Sequence, residues 1–323
     1  SFIIFLRTQK KIMKKILFAL FIFTYALGFS QIDKLNSKEP LVKEPYFKKE
    51  TNVAVQPGQK VRFIHSDLFE RKPDMYGGNP FFTGNVQFEH QGAMLTADRV
   101  IFYEKENFAK AIGNVLLVTS DGNRITSNEM EYDGNTQRGI ARGKVVLTDA
   151  KQTISTDVLY YDRVKNTAYF NSGGTINDGR NTMWTQSATY FIDSKTNEFT
   201  NNYTIDNAQY RVEGKNIKHY QNTNIAELFG PTTIVNKEKP SNYVYTENGK
   251  YLMTEKQVYL NKNSRIYYNG KILKGDKMFF NQLTGFGKAE GNVRLDDPKE
   301  NRYIIGGYGE IYEKIDSAMI TQK

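Results

Sequence analysis

An acidic or amide side chain recurs about once every thirty residues and is the clearest candidate for chemistry in this chain. The series comprises Asp67, Asp98, Asn128, Asp157 and Asp276. A carboxylate can act as a general acid or base, but a catalytic carboxylate is expected once rather than in every repeat. We therefore interpret the series as structural, because Asp and Asn side chains bond nearby backbone amides where a chain bends.

Other residue types that support catalysis do not converge in the sequence. The histidines His65, His90 and His219 lack metal-ligand spacing, and the chain has no cysteine. No serine has the context of a nucleophile elbow, and no glycine-rich phosphate loop occurs; the glycines are interpreted as turn markers. Trp184, the only tryptophan, is predicted to lie in the core rather than to form a sugar platform. We expect no enzymatic activity, no metal and no cofactor.

The segments that carry this series repeat with the same period. Gly84-Asn85-Val86 recurs at Gly113 and Gly143, after 29 and 30 residues, and again at Gly291. A fixed period of this length is typical of one supersecondary unit that is copied and stacked.

Alternation of apolar and polar residues predicts that each unit is made of strands. Val86 and Phe88 alternate with polar neighbours, as in a half-buried strand. Leu95 and Val100 are five positions apart, so a regular strand cannot bury both, and we expect a bend or bulge at the small residue and Asp98. Asp-Gly and Asn-Gly dipeptides mark tight turns between strands. The sequence therefore predicts an all-β protein of stacked antiparallel hairpin repeats of about 30 residues.

The domain organisation follows from composition and from the extent of the repeats. Residues 1–12 are expected to be an upstream extension, and residues 13–30 a signal peptide, with a membrane anchor as the alternative. Residues 31–60 are predicted to be a linker, and residues 61–236 to be regular repeats, although Ala188 and Lys215 stand where Asp is expected. Residues 237–261 are interpreted as an insertion or a degenerate repeat. Further repeats over 262–323 are expected to break off at Lys323, within a longer natural protein.

The net charge does not favour nucleic-acid binding. The formal charge is +9, but residues 1–30 carry five basic residues and no acidic residue. The remainder is only mildly basic and has no basic run interleaved with aromatic residues, so we expect no nucleic-acid partner.

The repeated phrases resemble those of the OstA-like proteins, a family that includes the periplasmic lipopolysaccharide-transport component LptA and the N-terminal domain of the translocon LptD. The signature is an apolar-x-Ala-Asp-x-apolar-x-Tyr phrase followed by Ala-x-Gly-Asn-Val. It is carried by Leu95–Tyr103, Lys110–Val115 and Leu273–Val293. The resemblance covers most of the chain and implies an open, twisted β-jellyroll. It leaves open whether the chain is a bridge component or part of a longer translocon.

The resemblance also implies a non-enzymatic carrier that moves lipopolysaccharide across the periplasm to the outer membrane, with lipid A acyl chains in an apolar cleft between two sheets. An ordinary packed core is the alternative that the residues themselves leave open. Lys110, Arg99 and Arg142 could meet lipid phosphates, although a solvated surface is the simpler interpretation. The predicted cleft lining is Val86, Phe88, Leu95, Val100, Phe102, Val115, Leu117, Ile125, Met130, Tyr132, Val145, Leu147, Ile154, Leu159 and Tyr161.

Expected partners are lipopolysaccharide, other Lpt-type bridge or outer-membrane translocon proteins joined by edge-strand stacking, and further copies of the chain. The expected location is the periplasm, in association with the outer membrane. Two other classes fit parts of the pattern, namely an outer-membrane β-barrel and an extracellular polysaccharide-binding β-solenoid. Short, phase-flipped alternations disfavour the barrel, because a membrane strand needs about 9–11 residues in phase.

Overall fold

The computed structural model describes residues 60–322, and the predicted extension, signal peptide and nearly all of the predicted linker lie outside this range. Residues 60–322 include three short 3-10 helices, at Tyr76–Gly78, Pro298–Glu300 and Glu313–Ile315. Within residues 60–322, no helix has the length and apolar character needed to span a membrane. The strands are β1 (Arg62–His65), β2 (Leu68–Glu70), β3 (Phe81–His90), β4 (Ala93–Tyr103), β5 (Phe108–Val118), β6 (Arg124–Asp133), β7 (Arg138–Thr148), β8 (Thr153–Asp162), β9 (Thr167–Phe170), β10 (Gly174–Asn177), β11 (Thr182–Phe191), β12 (Thr196–Asp206), β13 (Tyr210–Tyr220), β14 (Ile225–Asn236), β15 (Tyr243–Leu252), β16 (Gln257–Lys262), β17 (Arg265–Tyr268), β18 (Lys271–Lys274), β19 (Lys277–Asn281), β20 (Phe286–Asp297), β21 (Arg302–Tyr312) and β22 (Ser317–Thr321).

All of these 22 strands belong to one antiparallel sheet, in which most chain neighbours pair with each other. In places two short strands replace one long strand. β8, for example, pairs with β9 through Tyr160 and Tyr169 and with β10 through Thr156 and Gly174. The fold class predicted from the repeat is confirmed. The segment 237–261 contains β15 and most of β16, and both strands pair in the sheet.

The long strands bend near their middle, as predicted at Asp98, and the pairing shows which strand carries the extra residue. Thr83 and Val86 of β3 face Arg99 and Ala97 of β4, so the extra residue is on the Gly84-Asn85 strand. It is therefore the Gly-Asn phrase, which was interpreted as a turn, that forms the β-bulge. The conformation explains the residue types, because Gly84 and Asn85 have φ values of 79° and 47°, which most side chains disfavour.

The recurring Asp stabilises this bulge on the neighbouring strand. Asn114 Nδ2 donates to Asp98 Oδ2 at 2.9 Å, and Asp98 packs so closely that a Cβ on Gly113 would lie 2.4 Å from the same oxygen. Asp276 has the same relation to Gly291 and Asn292. These contacts support the structural interpretation for Asp98 and Asp276.

The bends fold the sheet over so that both halves of a strand face one interior. Phe82 and Phe88 lie on opposite sides of one bulge, yet their ring centroids are 5.1 Å apart. Leu95 and Val100 are both buried, as the phase shift predicted. The interior is one continuous apolar core that extends from Phe82 in β3 to Ile311 in β21.

Two predictions about the middle of the chain are wrong. The corner residue of β11 is Gln186, which lies between the paired residues Thr185 and Ser187, whereas Ala188 is buried in the core. Trp184, predicted to be a core residue, is 44% exposed on the outer face. Alternation along β11 explains its exposure, because Trp184 directly follows the buried Met183 and so points to the opposite face of the sheet.

Candidate functional site

The fifteen residues predicted to line a cleft all belong to the apolar core. Fourteen are buried, and Phe102 is partly buried and packs against the others. The interior is closely packed. A cavity among Tyr210, Ile234 and Ile266 has a volume of about 10 Å³, which is about the space of one water molecule. In this conformation the predicted lining residues therefore pack against one another.

The prediction stopped at Tyr161, whereas the core continues through the second half of the chain. Residues such as Ile205, Leu228 and Val258 are fully buried there. Their alternation with polar residues was available in the sequence, but the loss of the Asp at the corners obscured the repeat.

Hairpin turns alternate between the two ends of the folded strands and form two rows. The first row comprises residues 91–92, 119–123, 149–152, 178–181, 207–209, 237–242, 269–270 and 298–301, and the second row comprises 104–107, 134–137, 163–166, 192–195, 221–224, 253–256, 282–285 and 313–316. The two rows, with the strand ends beside them, meet along the side of the interior opposite the bends. We call this line of contact the seam.

The seam differs from the contacts within each row. Turns of one row are joined by backbone hydrogen bonds, as from the Gln221 amide to the Lys195 carbonyl at 3.0 Å. Within residues 60–322, no backbone–backbone hydrogen bond connects the first row with the second. The hydrogen bonds across the seam in this part of the chain involve side chains, so the seam has no sheet ladder to hold it.

Near the N-terminal end, the seam is closed by Arg163. Its Nη1 donates to the His90 carbonyl at 2.7 Å, and its Nη2 donates to the Gln91 carbonyl. His90 Nδ1 lies 2.8 Å from the hydroxyl of Tyr132. Tyr132 was predicted to line a cleft, and its ring does belong to the core while its hydroxyl reaches the seam.

In the middle of the seam, Asp149 of the first row meets the second row. Tyr190 donates to Asp149 Oδ2, and Lys195 Nζ lies 3.2 Å from the same oxygen. Burial alone would raise the pKa of Asp149, but the hydrogen bonds from Tyr190 and from the Lys151 and Gln152 amides, with the Lys195 charge, lower it overall. The pKa of Tyr190 is raised by burial and by Asp149.

Beside this group, two buried amides bond to each other across the seam. Asn197 Nδ2 donates to Gln152 Oε1 at 2.8 Å, and Gln152 Nε2 donates to Asn197 Oδ1 at 3.3 Å. Gln152 is 4% exposed and Asn197 is 0% exposed, so both hydrogen bonds are shielded from water.

The C-terminal part of the seam is also polar. The Tyr210 hydroxyl donates to the Gln282 carbonyl at 3.0 Å, and burial raises the pKa of Tyr210 to about 12. Asn242 donates to Glu313, and Lys271 Nζ lies 2.9 Å from Asp316 Oδ1.

Several buried polar atoms at the seam have no hydrogen-bond partner among the described residues. They include His219 Nδ1, both side-chain polar atoms of Gln221, and Gln282 Nε2. Burial lowers the pKa of His219, so its imidazole is held neutral. A buried polar group without a partner costs about 1–3 kcal/mol, so these atoms make the closed seam less stable than a fully bonded join.

The cations predicted to meet phosphates lie elsewhere. Lys110 and Arg142 extend from the outer face and both contact Glu131, at 3.6 and 3.3 Å, while Arg99 is exposed at a corner. The residues that close the seam were not identified from the sequence, because they lie 41 to 73 positions apart in the pairs Tyr190–Asp149 and Arg163–His90. Within the described range, no group of three His, Asp or Glu side chains could hold a metal ion.

Comparisons with known proteins find two family models that match this chain. Residues 58–215 match the model of the OstA-like protein family, and residues 185–301 match a family described as lipopolysaccharide-assembly, LptC-related. A search of curated proteins finds no match. Among solved structures, LptH of Pseudomonas aeruginosa, the LptA homologous periplasmic component of a lipopolysaccharide transport device, is 14% identical, with a TM-score of 0.32 over 34% of this chain and 82% of that chain. The two matching models together span residues 58–301, and they support an Lpt-type lipopolysaccharide-transport family for this chain.

Proposed function

We propose that this protein is a periplasmic bridge component that carries lipopolysaccharide toward the outer membrane without catalysing a reaction. The acyl chains of lipid A lie between the two halves of the folded sheet, along the row of residues from Val86 to Tyr161. The sugars and phosphates stay in water beyond the seam. No catalytic group is needed, because the task is to shield apolar chains rather than to change a bond.

The observation that carries this proposal is the contrast between the continuous apolar interior and the seam. The bends are held by sheet hydrogen bonds, whereas the seam is held by side chains. Separating the two rows would open the interior along its length while the sheet stays intact. Each methylene group that an acyl chain exposes to water costs about 0.8 kcal/mol, so an open apolar interior offers a large gain to a multi-acylated lipid.

Loss of core packing opposes opening in the absence of lipid. Residues such as Leu147 and Ile154 are fully or almost fully buried against each other. An acyl chain that enters replaces these contacts with equivalent apolar contacts, so opening and loading occur together.

The ends of the sheet provide surfaces for partners. The first half of β21, Arg302–Gly306, pairs with β20 but with no other described strand, and Tyr303, Ile304 and Ile305 are each more than half exposed. At the other end, Leu68 and Phe69 are exposed beside Phe82. We propose that Lpt-type bridge or translocon proteins, or a second copy of the chain, add strands here and continue the interior.

A staple across the seam tests the proposed function, and the absence of cysteine provides a clean background. The variant carries Gln152→Cys and Asn197→Cys, closed by oxidation or by a short bis-maleimide, with a photo-crosslinking residue at Leu117. We expect crosslinking to lipopolysaccharide in cells before closure, loss of that crosslink after closure, and its recovery when a disulfide staple is reduced.

The matched control places Cys at Asn166 and Asp193, which bond to each other within the second row, with Nδ2 and Oδ1 2.6 Å apart. This staple leaves the seam free to open, so crosslinking at Leu117 should persist. An unstapled protein that crosslinks only to protein, or a seam staple without effect on lipopolysaccharide labelling, would refute the proposal.

A further inference from the structure

The corner between β8 and the β9–β10 pair differs from the other acidic corners. At four corners, a carboxylate accepts a hydrogen bond from an asparagine amide: Asp67 from Asn85, Asp98 from Asn114, Glu247 from Asn263 and Asp276 from Asn292. At the fifth, Asp157 lies beside Ser172 and Gly173 instead. Its carboxylate has no hydrogen bond or ion pair with any described residue, so it lacks the structural role of the other four.

An open groove occupies the space at this corner. Its volume is about 550 Å³, within the range of about 300–1,000 Å³ that is typical of ligand sites. Gly173 and Gly174 line it beside the indole of Trp184, and a Cβ on Gly173 would lie 4.0 Å from the ring. Because Gly173 carries no side chain, the ring remains accessible from the groove.

The groove is held in shape by hydrogen bonds. Thr156 Oγ1 donates to the Gly173 carbonyl at 2.8 Å, and Gln186 Nε2 donates to the Asn171 carbonyl at 3.0 Å. Trp184 is fixed in the sheet, where it pairs with Thr175 of β10 and Thr204 of β12. The site is therefore formed before any ligand arrives, which reduces the entropy cost of binding.

The polar groups that line the groove with the indole can donate and accept hydrogen bonds from a ligand. Asp157 supplies a carboxylate acceptor, Lys144 an ammonium donor, and Ser155 and Thr175 hydroxyls. A pyranose ring presents an apolar face of C–H groups and a rim of hydroxyl groups that both donate and accept hydrogen bonds. An aromatic face bordered by single acceptors and donors matches that pattern, whereas an acyl chain would leave the carboxylate and ammonium without partners.

We propose that this outer-face groove binds a pyranose unit of a polysaccharide, with the sugar ring stacked on Trp184 and its hydroxyl groups bonded to Asp157 and Lys144. The groove opens on the outer face of the sheet, so binding does not require the seam to open. The protein could thereby hold the sugar part of lipopolysaccharide or the glycan of the cell wall. Both sources share the pyranose chemistry, and the experiment distinguishes them.

Because Trp184 is the only tryptophan, its fluorescence reports directly on the groove. The full chain is titrated with two lipid-free probes, core oligosaccharide released from lipopolysaccharide and chitotetraose. We expect a saturable change in Trp184 fluorescence with at least one probe, and the probe that binds identifies the source. Isothermal titration then compares the variants.

Trp184→Ala should weaken binding by at least about tenfold, since a truncated aromatic contact removes the stacking surface. Asp157→Asn should weaken it several-fold while it leaves the fluorescence response intact. Phe229→Ala is the control, because Phe229 is an exposed aromatic residue at another corner, 42% exposed; its affinity should equal that of the original chain.

Circular dichroism confirms that each variant folds, which is expected because the changed side chains are exposed. A flat titration with both probes, or equal affinity in Trp184→Ala and the original chain, would overturn the proposed site. Neither result would bear on the seam staple, since these probes carry no acyl chains and the crosslinking residue at Leu117 lies in the interior.

Discussion

The contact between Asp98 and Gly113 allows a quantitative test of how the bends are built. In Gly113→Ala, the new Cβ would lie 2.4 Å from Asp98 Oδ2 and 3.1 Å from its Cβ and Cγ. The carboxylate would have to move away from Asn114, and such overpacking costs about 1–3 kcal/mol. The φ of 77° adds about 1 kcal/mol for a residue with a Cβ. We expect a total loss of about 2–4 kcal/mol in the free energy of unfolding.

Gly122→Ala is the matched control, because Gly122 has a φ of 86° but a Cβ there would meet no atom within 4 Å. Only the conformational cost of the positive φ applies, so we expect a loss of about 1 kcal/mol. The difference between the two variants isolates the steric contact with Asp98.

A double-mutant cycle identifies that contact as the cause. Asp98→Ala alone should cost about 0.5–1.5 kcal/mol through the lost hydrogen bond. When Asp98→Ala is combined with Gly113→Ala, the oxygen that opposes the new methyl group is absent. The combined loss should therefore fall short of the sum of the two single losses by about 1–2 kcal/mol.

Urea unfolding, followed through the fluorescence of Trp184, measures these free energies. Asp98→Ala combined with Gly122→Ala should be additive, since those sites share no contact. Equal losses for Gly113→Ala and Gly122→Ala, or an additive cycle at Asp98 and Gly113, would show that the Asp does not brace the bulge.

Two further perturbations test the seam and the core. Asp149→Asn should lower the free energy of unfolding by about 1–3 kcal/mol at neutral pH. Because the pKa of Asp149 in the folded state lies below the ordinary 3.8, this stabilisation is present above pH 3.8 and is lost as the pH falls through the folded-state pKa. A stability difference from the original chain that stays constant down to strong acid would contradict the proposed bonding. Leu147→Ala should lower the free energy of unfolding by about 2–5 kcal/mol in thermal or urea unfolding, because the Leu147 side chain is fully buried. The control Leu116→Ala, which changes a half-buried residue on the outer face, should cost less. Equal losses would argue against a single tightly packed interior.

Local patterns in the sequence were sufficient to predict the all-β fold, the period and, as far as Tyr161, the side chains of the core. Leu95 and Val100 showed from their spacing alone that a strand changes phase at Asp98, and both are buried. The sequence did not show which strand carries the extra residue. A register shift is a relation between two strands, and the sequence of β4 by itself does not contain the pairing with Gly84 and Asn85.

The residues of the seam could not be predicted from the sequence, because their contacts depend on the whole folded sheet. Gln152 and Asn197 are ordinary turn or strand-end residues by their sequence context, and only the folding and twisting of the whole sheet brings them together. The exposure of Trp184 has a similar origin. Alternation places it on the face opposite Met183, and only the folded sheet shows which of the two faces is buried.

The sequence alone determined the features that recur in every repeat. Period-two alternation, the Gly-Asn phrase and the small-residue–Asp phrase act over a few neighbouring positions, so they specify each strand, its bend and its buried face wherever the phrase occurs. Tertiary structure decided how the copies close upon one another, because contacts such as Arg163 to His90 join turns that no short-range pattern relates. The apolar interior was therefore predictable, while the polar seam that closes it, and that we propose must open for lipid to enter, emerged only from the folded sheet.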